Sequence, residues 1–246
     1  MAGRIRIGIG GWVYEPWRGS FYPQGLRQKD ELAYVGAHLT ATEINATYYS
    51  SQKPATFAGW AKAVPDGFQF AVKASRYCTN RRLLAEAGES VAKFTGQGIA
   101  ELGDRLGPIL WQFMPTKRFD PDDFEAFLAL LPASVAGVPL RHALEVRHES
   151  FADPAFITMA KQAGAAIVYA DHEAYPAIEG EDVGFSYMRL MRGQADEPTG
   201  YAPDAIARWA DRARVLAERG DVYGFFISGA KERNPAAAQM LMTHLK

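Results

Sequence analysis

The sequence predicts one α/β domain over residues 1–246, a (β/α)8 barrel with a closed parallel sheet. Three observations predict it. Eight short apolar segments recur along the chain, centred near residues 7, 42, 71, 110, 144, 168, 187 and 225. They lack a polar face, as strands do when both faces are covered. Most of the intervals carry helical periodicity, and alternating strand and helix implies a parallel sheet. Eight such units in 246 residues fit a closed barrel rather than an open doubly wound sheet, which is the alternative. The open sheet also lacks its usual glycine-rich turn. Gly8-Ile9-Gly10-Gly11-Trp12 runs on to Tyr14 and Glu15, where a dinucleotide fingerprint needs a third glycine.

In chain order, residues 4–9 alternate Arg and Ile and end at Gly10-Gly11, a strand and a tight turn. The loop that follows carries Trp12, Tyr14, Trp17, Phe21 and Tyr22. Leu32, Val35 and Leu39 mark a helix over 29–39. Strand two, 41–44, leads into Asn45, Tyr48 and Tyr49. Pro54 opens a helix at its first turn, with Phe57, Trp60 and Val64 on one side. Residues 68–76 form strand three. A helix over 89–106 has to tolerate Gly96 and Gly98. Strand four is 108–113. Asp120-Pro121-Asp122-Asp123 starts a helix by capping, a first-turn proline and acids toward the positive dipole end. Its apolar face is Phe124, Phe127, Leu128 and Leu131. Strand five, 140–146, is followed by a helix from Asp153-Pro154 to 163 with Gly164 as its stop. Strand six is 165–170 and strand seven 185–190. Residues 172–182 are too short for a full helix, so irregularity is expected around strands six to seven. A helix over 203–219, strand eight over 222–227 and a helix over 236–245 behind Asn234-Pro235 complete the chain.

Composition narrows the function classes. The balance is ordinary for a globular domain, at 48% hydrophobic and 22% charged residues. A net charge of −1 provides no global field to hold nucleic acid by counterion release. The lone Cys78 allows no intramolecular disulfide and no cysteine-based metal site. No run of 18 apolar residues exists for a membrane helix. Residues 1–6 pass directly into strand alternation without the apolar region of a signal peptide, so a cytoplasmic location is expected.

A barrel of this kind carries its site at the C-terminal ends of its strands. The ionisable groups of this chain fall there. Strand two delivers Glu43 and Asn45 with Tyr48, strand three Lys73 with Arg76, and strand four Gln112. Strand five delivers Glu145, Arg147 and His148, strand six Asp171, strand seven Arg189 and strand eight Ser228. Burying charge costs several kcal/mol unless it is paired, so a charged rim above apolar strand bodies points to a ligand. Lys73 and Glu145, with Glu43, are the candidates for proton transfer. Desolvation and nearby arginines would lower the lysine, leaving it a base or a Schiff-base nucleophile. The structural alternative is a salt bridge from Lys73 to Glu145 or Glu43. Arg147 and Arg189 suit bidentate anion binding, or else pairing with Glu43, Glu145 or Asp171. Alternation puts Glu145 and Arg147 on one side of the strand, leaving open whether Arg147 holds Glu145 or a ligand. His148 is an acid, a base, a metal ligand or a structural group, and His142, at the other end of its strand, is structural. Trp12, behind two glycines, is the aromatic candidate for ligand stacking, whereas Phe21, Tyr22 and Trp60 are expected to pack loops. Cys78 is a weak candidate nucleophile.

Five segments stand out together: Ile9-Gly10-Gly11-Trp12-Val13-Tyr14, Thr42-Glu43-Ile44-Asn45-Ala46-Thr47-Tyr48-Tyr49, Phe68-Gln69-Phe70-Ala71-Val72-Lys73-Ala74-Ser75-Arg76, Leu106-Gly107-Pro108-Ile109-Leu110-Trp111-Gln112-Phe113 and Glu145-Val146-Arg147-His148-Glu149-Ser150-Phe151. Taken together they resemble the DUF72 (YecE-like) family. The likeness runs in the same order from near residue 7 to the C-terminus. It implies a TIM-barrel-like domain and no particular reaction. Two positions depart from the family pattern. Arg189-Leu190-Met191-Arg192-Gly193 lacks a strand-seven His, and Phe226-Ile227-Ser228-Gly229-Ala230 lacks a strand-eight Asn or Asp.

The expected function is an enzyme acting on a small anionic or sugar-like molecule at the barrel mouth. Lys73, Glu145 and Glu43 would do the chemistry. Trp12, Asn45, Tyr48, Arg76, Gln112, Arg147, His148, Asp171 and Arg189 would bind the substrate. The alternatives are a metal-dependent hydrolase, isomerase or nuclease using Glu43, Glu145 and Asp171, and a non-catalytic binding protein. No metal ligand set is assigned, because no local spacing motif such as HExxH is present and the nearby arginines oppose a cation. The cofactor stays unassigned, and neither membrane nor nucleic acid is expected as a partner.

Overall fold

Eight strands have to close on a bore that their own side chains must fill, and the chain solves this by pairing small with large. The computed structural model describes residues 2–246. Its barrel strands are β1 (Ile5–Gly10), β2 (Ala41–Ile44), β3 (Gln69–Lys73), β4 (Leu106–Gln112), β5 (His142–Glu145), β6 (Ala166–Asp171), β7 (Phe185–Leu190) and β8 (Asp221–Phe226). All pair in parallel around a closed ring in the order β1-β8-β7-β6-β5-β4-β3-β2. Ala41, Ala71, Ala143 and Ala166 face inward and leave room for Leu110, Tyr187, Tyr223 and Phe225, and the ten residues of this inner cluster are buried. A larger core lies outside the sheet, between the strands and the surrounding helices. No helix among the described residues is long and apolar enough to cross a membrane.

The bore is closed at its N-terminal end by polar groups. Arg6 Nη1 and Arg141 Nη1 reach Asp221 Oδ2 at 3.0 and 3.2 Å, and Arg141 also bonds Gln69 and the Tyr223 hydroxyl.

The helical elements follow the expected caps. Asp120 accepts from Asp123 N ahead of Pro121–Ala129, and Asp153 accepts from Ala155 N ahead of Pro154–Gln162. The predicted 89–106 helix is instead two pieces, an α-helix over Gly88–Thr95 and a 3-10 segment over Ile99–Arg105. Gly98 breaks it with φ 114°, and a Cβ there would lie 2.7 Å from Pro54 Cα. The backbone is thus turned to pack against the start of Pro54–Ala63, a conformation glycine alone adopts cheaply. Two short helices that periodicity could not reveal, Ala46–Tyr49 and Arg76–Thr79, follow β2 and β3 directly. A small hairpin, Ser134–Val135 with Val138–Pro139, precedes β5. Residues 172–182 contain no helix, as expected. The strands on either side nonetheless pair regularly, from Val168 with Tyr187 to Asp171 with Leu190.

Candidate functional site

Side chains on successive strand residues point to opposite faces, so the inward set is fixed by parity. Ala41, Ala71, Leu110, Ala143 and Tyr187 face the bore. The next inward residues toward the C-terminal end are Glu43, Lys73, Gln112, Glu145 and Arg189. All five are at most 8% exposed.

Arg189 is the hub of this layer. Its Nη2 bonds Glu43 Oε1 at 2.9 Å, its Nε bonds Glu43 Oε2 at 3.2 Å, and its Nη1 bonds Glu145 Oε2 at 2.6 Å. The Tyr187 hydroxyl donates to Glu43 Oε2 at 2.8 Å, and Gln112 Nε2 donates to Glu145 Oε2 at 2.8 Å. Arg147 closes the other side, with Nε and Nη2 at 2.8 and 2.7 Å from Glu145 Oε1. Its guanidinium lies over the Tyr175 ring at 4.5 Å, and that ring stacks on His172. Both oxygens of each carboxylate are thus satisfied by donors. Burial alone would raise the Glu145 carboxyl, but Arg189 and Arg147 outweigh it and hold it down at about 2. Burial likewise opposes the charge on Arg189, and the two carboxylates overcome it and raise that guanidinium further. Held down in this way, the Glu145 carboxylate is a poor proton acceptor, and the oxygens of both Glu43 and Glu145 are taken up by these bonds.

Lys73 differs from its neighbours. Among the described residues its Nζ makes neither an ion pair nor a hydrogen bond, and it sits 4.3 Å from the centroid of the Tyr48 ring. The alternative, a bridge from Lys73 to Glu145 or Glu43, does not form, and both carboxylates are taken by the arginines. Burial first, then Arg189, lowers the ammonium to about 8 against the opposing pull of Glu43 and Glu145. The Tyr48 hydroxyl accepts from Asn80 Nδ2 at 3.1 Å, which fixes the ring. Asn45 lies at the same rim, donating to the Glu43 carbonyl at 3.4 Å. A Cβ at Gly10 would lie 3.0 Å from its Nδ2.

Other expected residues go elsewhere. Asp171 follows inward Ala170 and therefore faces the helix layer. There it pairs with Arg192 at 3.2 Å and accepts from the Tyr201 hydroxyl at 3.4 Å. Trp12 packs edge-on against Trp60 and Phe70 on the outer side of the sheet, at 5.2 and 6.2 Å between centroids. It joins the loop packing expected only of Phe21, Tyr22 and Trp60. Arg76 is exposed beside Tyr77. His148 caps the 3-10 turn Glu149–Phe151, its Nδ1 accepting from Ser150 N at 3.0 Å. His142 is structural as expected, accepting from Trp111 Nε1 at 3.0 Å. Ser228 donates to Asn234 Oδ1 at 2.7 Å. Cys78 is buried, and burial pushes its thiol up to about 12, which removes it as a nucleophile. No three His, Cys, Asp or Glu side chains among the described residues are grouped to hold a metal ion. With Asp171 outside the bore and both carboxylates on arginine, the metal-dependent alternative has no ligand set. Tyr187 and Tyr175 escaped the sequence reading. Tyr187 could have been found by counting two residues back from Arg189, whereas nothing local marks Tyr175.

A model of the family described as "Protein of unknown function DUF72" matches residues 6–246. The chain belongs to the DUF72 family. This DUF72 protein is 27% identical over 157 residues to the UPF0759 protein YunF of Bacillus subtilis, a match covering 62% of this chain and 54% of that one. The matched stretch thus spans about half of that relative's length. Among solved structures, a DUF72 protein of Thermotoga maritima aligns with TM-score 0.75 and 22% identity over 97% of each chain. One from Enterococcus faecalis aligns with TM-score 0.74 and 18% identity, over 98% of this chain and 95% of that one. At these identities the likeness shows a shared barrel fold.

Proposed function

We propose that this DUF72 protein is an enzyme acting on a small anionic or sugar-like substrate at the C-terminal mouth of the barrel, with Lys73 as its proton-transfer group. One observation carries the reading. Lys73 is the inward cation of the rim that holds no carboxylate, whereas Arg147 and Arg189 are both committed to Glu145 and Glu43. An amine titrating near 8 is about one-tenth neutral at pH 7 and fully able to exchange protons there. The arginines cannot fill that role, since a guanidinium stays protonated. In this reading Arg189 and Glu145 set the field around the amine. Arg147, with Nη1 uncommitted, binds the anion, and Tyr48 and Tyr175 flank the ligand. Asn45 and Gln112 complete the polar lining.

The test is a thermal-shift screen of small anionic metabolites on the wild type and on Lys73→Met, followed by turnover assays on the ligands found. An anion that stabilises the wild type, loses that effect in Lys73→Met and is converted with a rate rising through pH 8 supports the reading. Equal stabilisation of both proteins moves the ligand away from Lys73 and overturns it.

A further inference from the structure

We infer that the substrate class is a small 2-oxo acid, captured as a protonated imine on Lys73 Nζ, an inference that rests on the mouth placement proposed above. Charge balance is the first argument. Glu43 and Glu145 are neutralised by Arg189 and Arg147 through bonds of 2.6 to 3.2 Å, so these four groups sum to zero. Among the described residues, Lys73 is then the one uncompensated charge of this inward layer. A ligand with one negative charge restores neutrality, and a phosphate dianion overshoots it. Desolvated charge is costly when unpaired, so this balance selects monoanions.

The second argument is the state of the amine. Its nitrogen donates to no oxygen among the described residues and rests on the Tyr48 ring face at 4.3 Å. When the amine loses its proton, no hydrogen bond has to break before the lone pair can attack. The neighbouring guanidiniums press in this direction, because in a crowd of cations the lysine is the one that yields its proton. A neutral, unencumbered amine beside an anion-deficient site suits an electrophilic carbonyl carrying a carboxylate.

The third argument is the receptor for that carboxylate. Arg147 uses Nε and Nη2 on Glu145 Oε1, and its Nη1 has no protein partner among the described residues. The stacking of its guanidinium on Tyr175 holds that free donor in place.

The step balances as follows. The neutral amine attacks the carbonyl carbon, forming the C–N bond as the C=O π pair moves to oxygen. That oxygen gains one proton from the attacking nitrogen through solvent and a second from bulk solvent. It then leaves as water, and the nitrogen lone pair forms the C=N bond. The nitrogen keeps its remaining proton, so the imine is positive and the ligand carboxylate offsets it. No oxidant or metal is needed.

The experiment uses the full chain with pyruvate and sodium borohydride, read by intact mass and peptide mapping. The expected result is one reduced adduct on Lys73, absent from Lys73→Arg, which keeps the charge and cannot form an imine. No adduct, or an equal adduct on other lysines in both proteins, overturns the inference. Lactate, which carries the same charge without the carbonyl, runs in parallel by thermal shift. Stabilisation by lactate and pyruvate without trapping overturns the imine and leaves anion binding at Lys73 standing. Stabilisation by neither overturns both.

Discussion

Arg189 Nη1 and Glu145 Oε2 lie 2.6 Å apart although β6 separates their strands. The same guanidinium reaches Glu43 on β2, on the other side of β8 and β1. One side chain therefore ties three non-adjacent strands across the bore. Its loss leaves Glu43 without a cationic partner and Glu145 with Arg147 alone.

Arg189→Leu is expected to destabilise the fold by about 3–5 kcal/mol, the range for breaking a buried pair from one side. Arg189→Lys should recover only part of this, since an ammonium lacks the fork that serves both carboxylates. Urea denaturation of the two variants measures the difference. A loss under 1 kcal/mol in Arg189→Leu would mean that the carboxylates find other partners.

Lys73 carries a stability cost that depends on pH. Its folded value, about 8, lies below its ordinary 10.5. Between these values the unfolded chain binds the extra proton, so this group's contribution makes stability rise with pH from about 8 to 10.5. The charges facing it are Arg189 on β7, Glu43 on β2, and Glu145 and Arg147 at the end of β5, with the Tyr48 ring beside it. Lys73→Met should be more stable than the wild type at pH 7 by about 1–3 kcal/mol and should lose that rise. Chemical denaturation across pH 7 to 10.5 checks both, and parallel curves for the two proteins would refute it.

Glu145 acts in the acid range with the opposite sign. Its folded value of about 2 lies below the ordinary 4.5, so its contribution is fully present above 4.5 and is lost as pH falls through 2. Glu145→Gln should flatten the acid limb of the stability curve between these values. It should also leave Arg147 and Arg189 short of an anion, with lower stability at pH 7. Denaturation from pH 6 down to 2 reads both effects.

Tyr48→Ala removes the ring from beside the Lys73 ammonium. A cation–π contact at a partly desolvated site contributes about 0.5–2 kcal/mol. Water entering the gap should also move the lysine upward from about 8 toward 10.5. The pH dependence of Lys73 acylation, mapped by mass spectrometry, reports that shift. An unchanged midpoint would show that the ring does not control hydration of the amine.

Gly98→Ala should cost about 1–3 kcal/mol, because it forces a side chain onto φ 114° and against Pro54. Thermal melting measures it, and a change within 0.5 kcal/mol would show that the Pro54 turn can yield.

Much of the barrel was legible in the sequence, because most strands are short apolar windows set off by glycine, proline or polar residues. Two of them, Ala41–Ile44 and Phe185–Leu190, were predicted with their observed limits. The 89–106 segment misled because Gly98 acts through contact with Pro54, which is far away in sequence. At the site, the residue types and the strands that deliver them were legible, and their partners were not. A barrel strand is apolar on both faces, so hydrophobicity does not report parity. Asp171 was assigned to the mouth for that reason, though it stands one residue past inward Ala170. The open question over Arg147 depended on which carboxylate oxygen Arg189 leaves free, a three-dimensional matter. Trp12 looked like a ligand platform because two glycines precede it, yet its ring finds Trp60 on the outer face.

The polar plug of Arg6, Gln69, Arg141, Asp221 and Tyr223 seals the N-terminal end of a bore that Leu110, Tyr187, Tyr223 and Phe225 already fill beneath Lys73. A molecule that reaches Lys73 must depart by the way it came. In the proposed enzyme, product and incoming substrate would share that one route and compete for it.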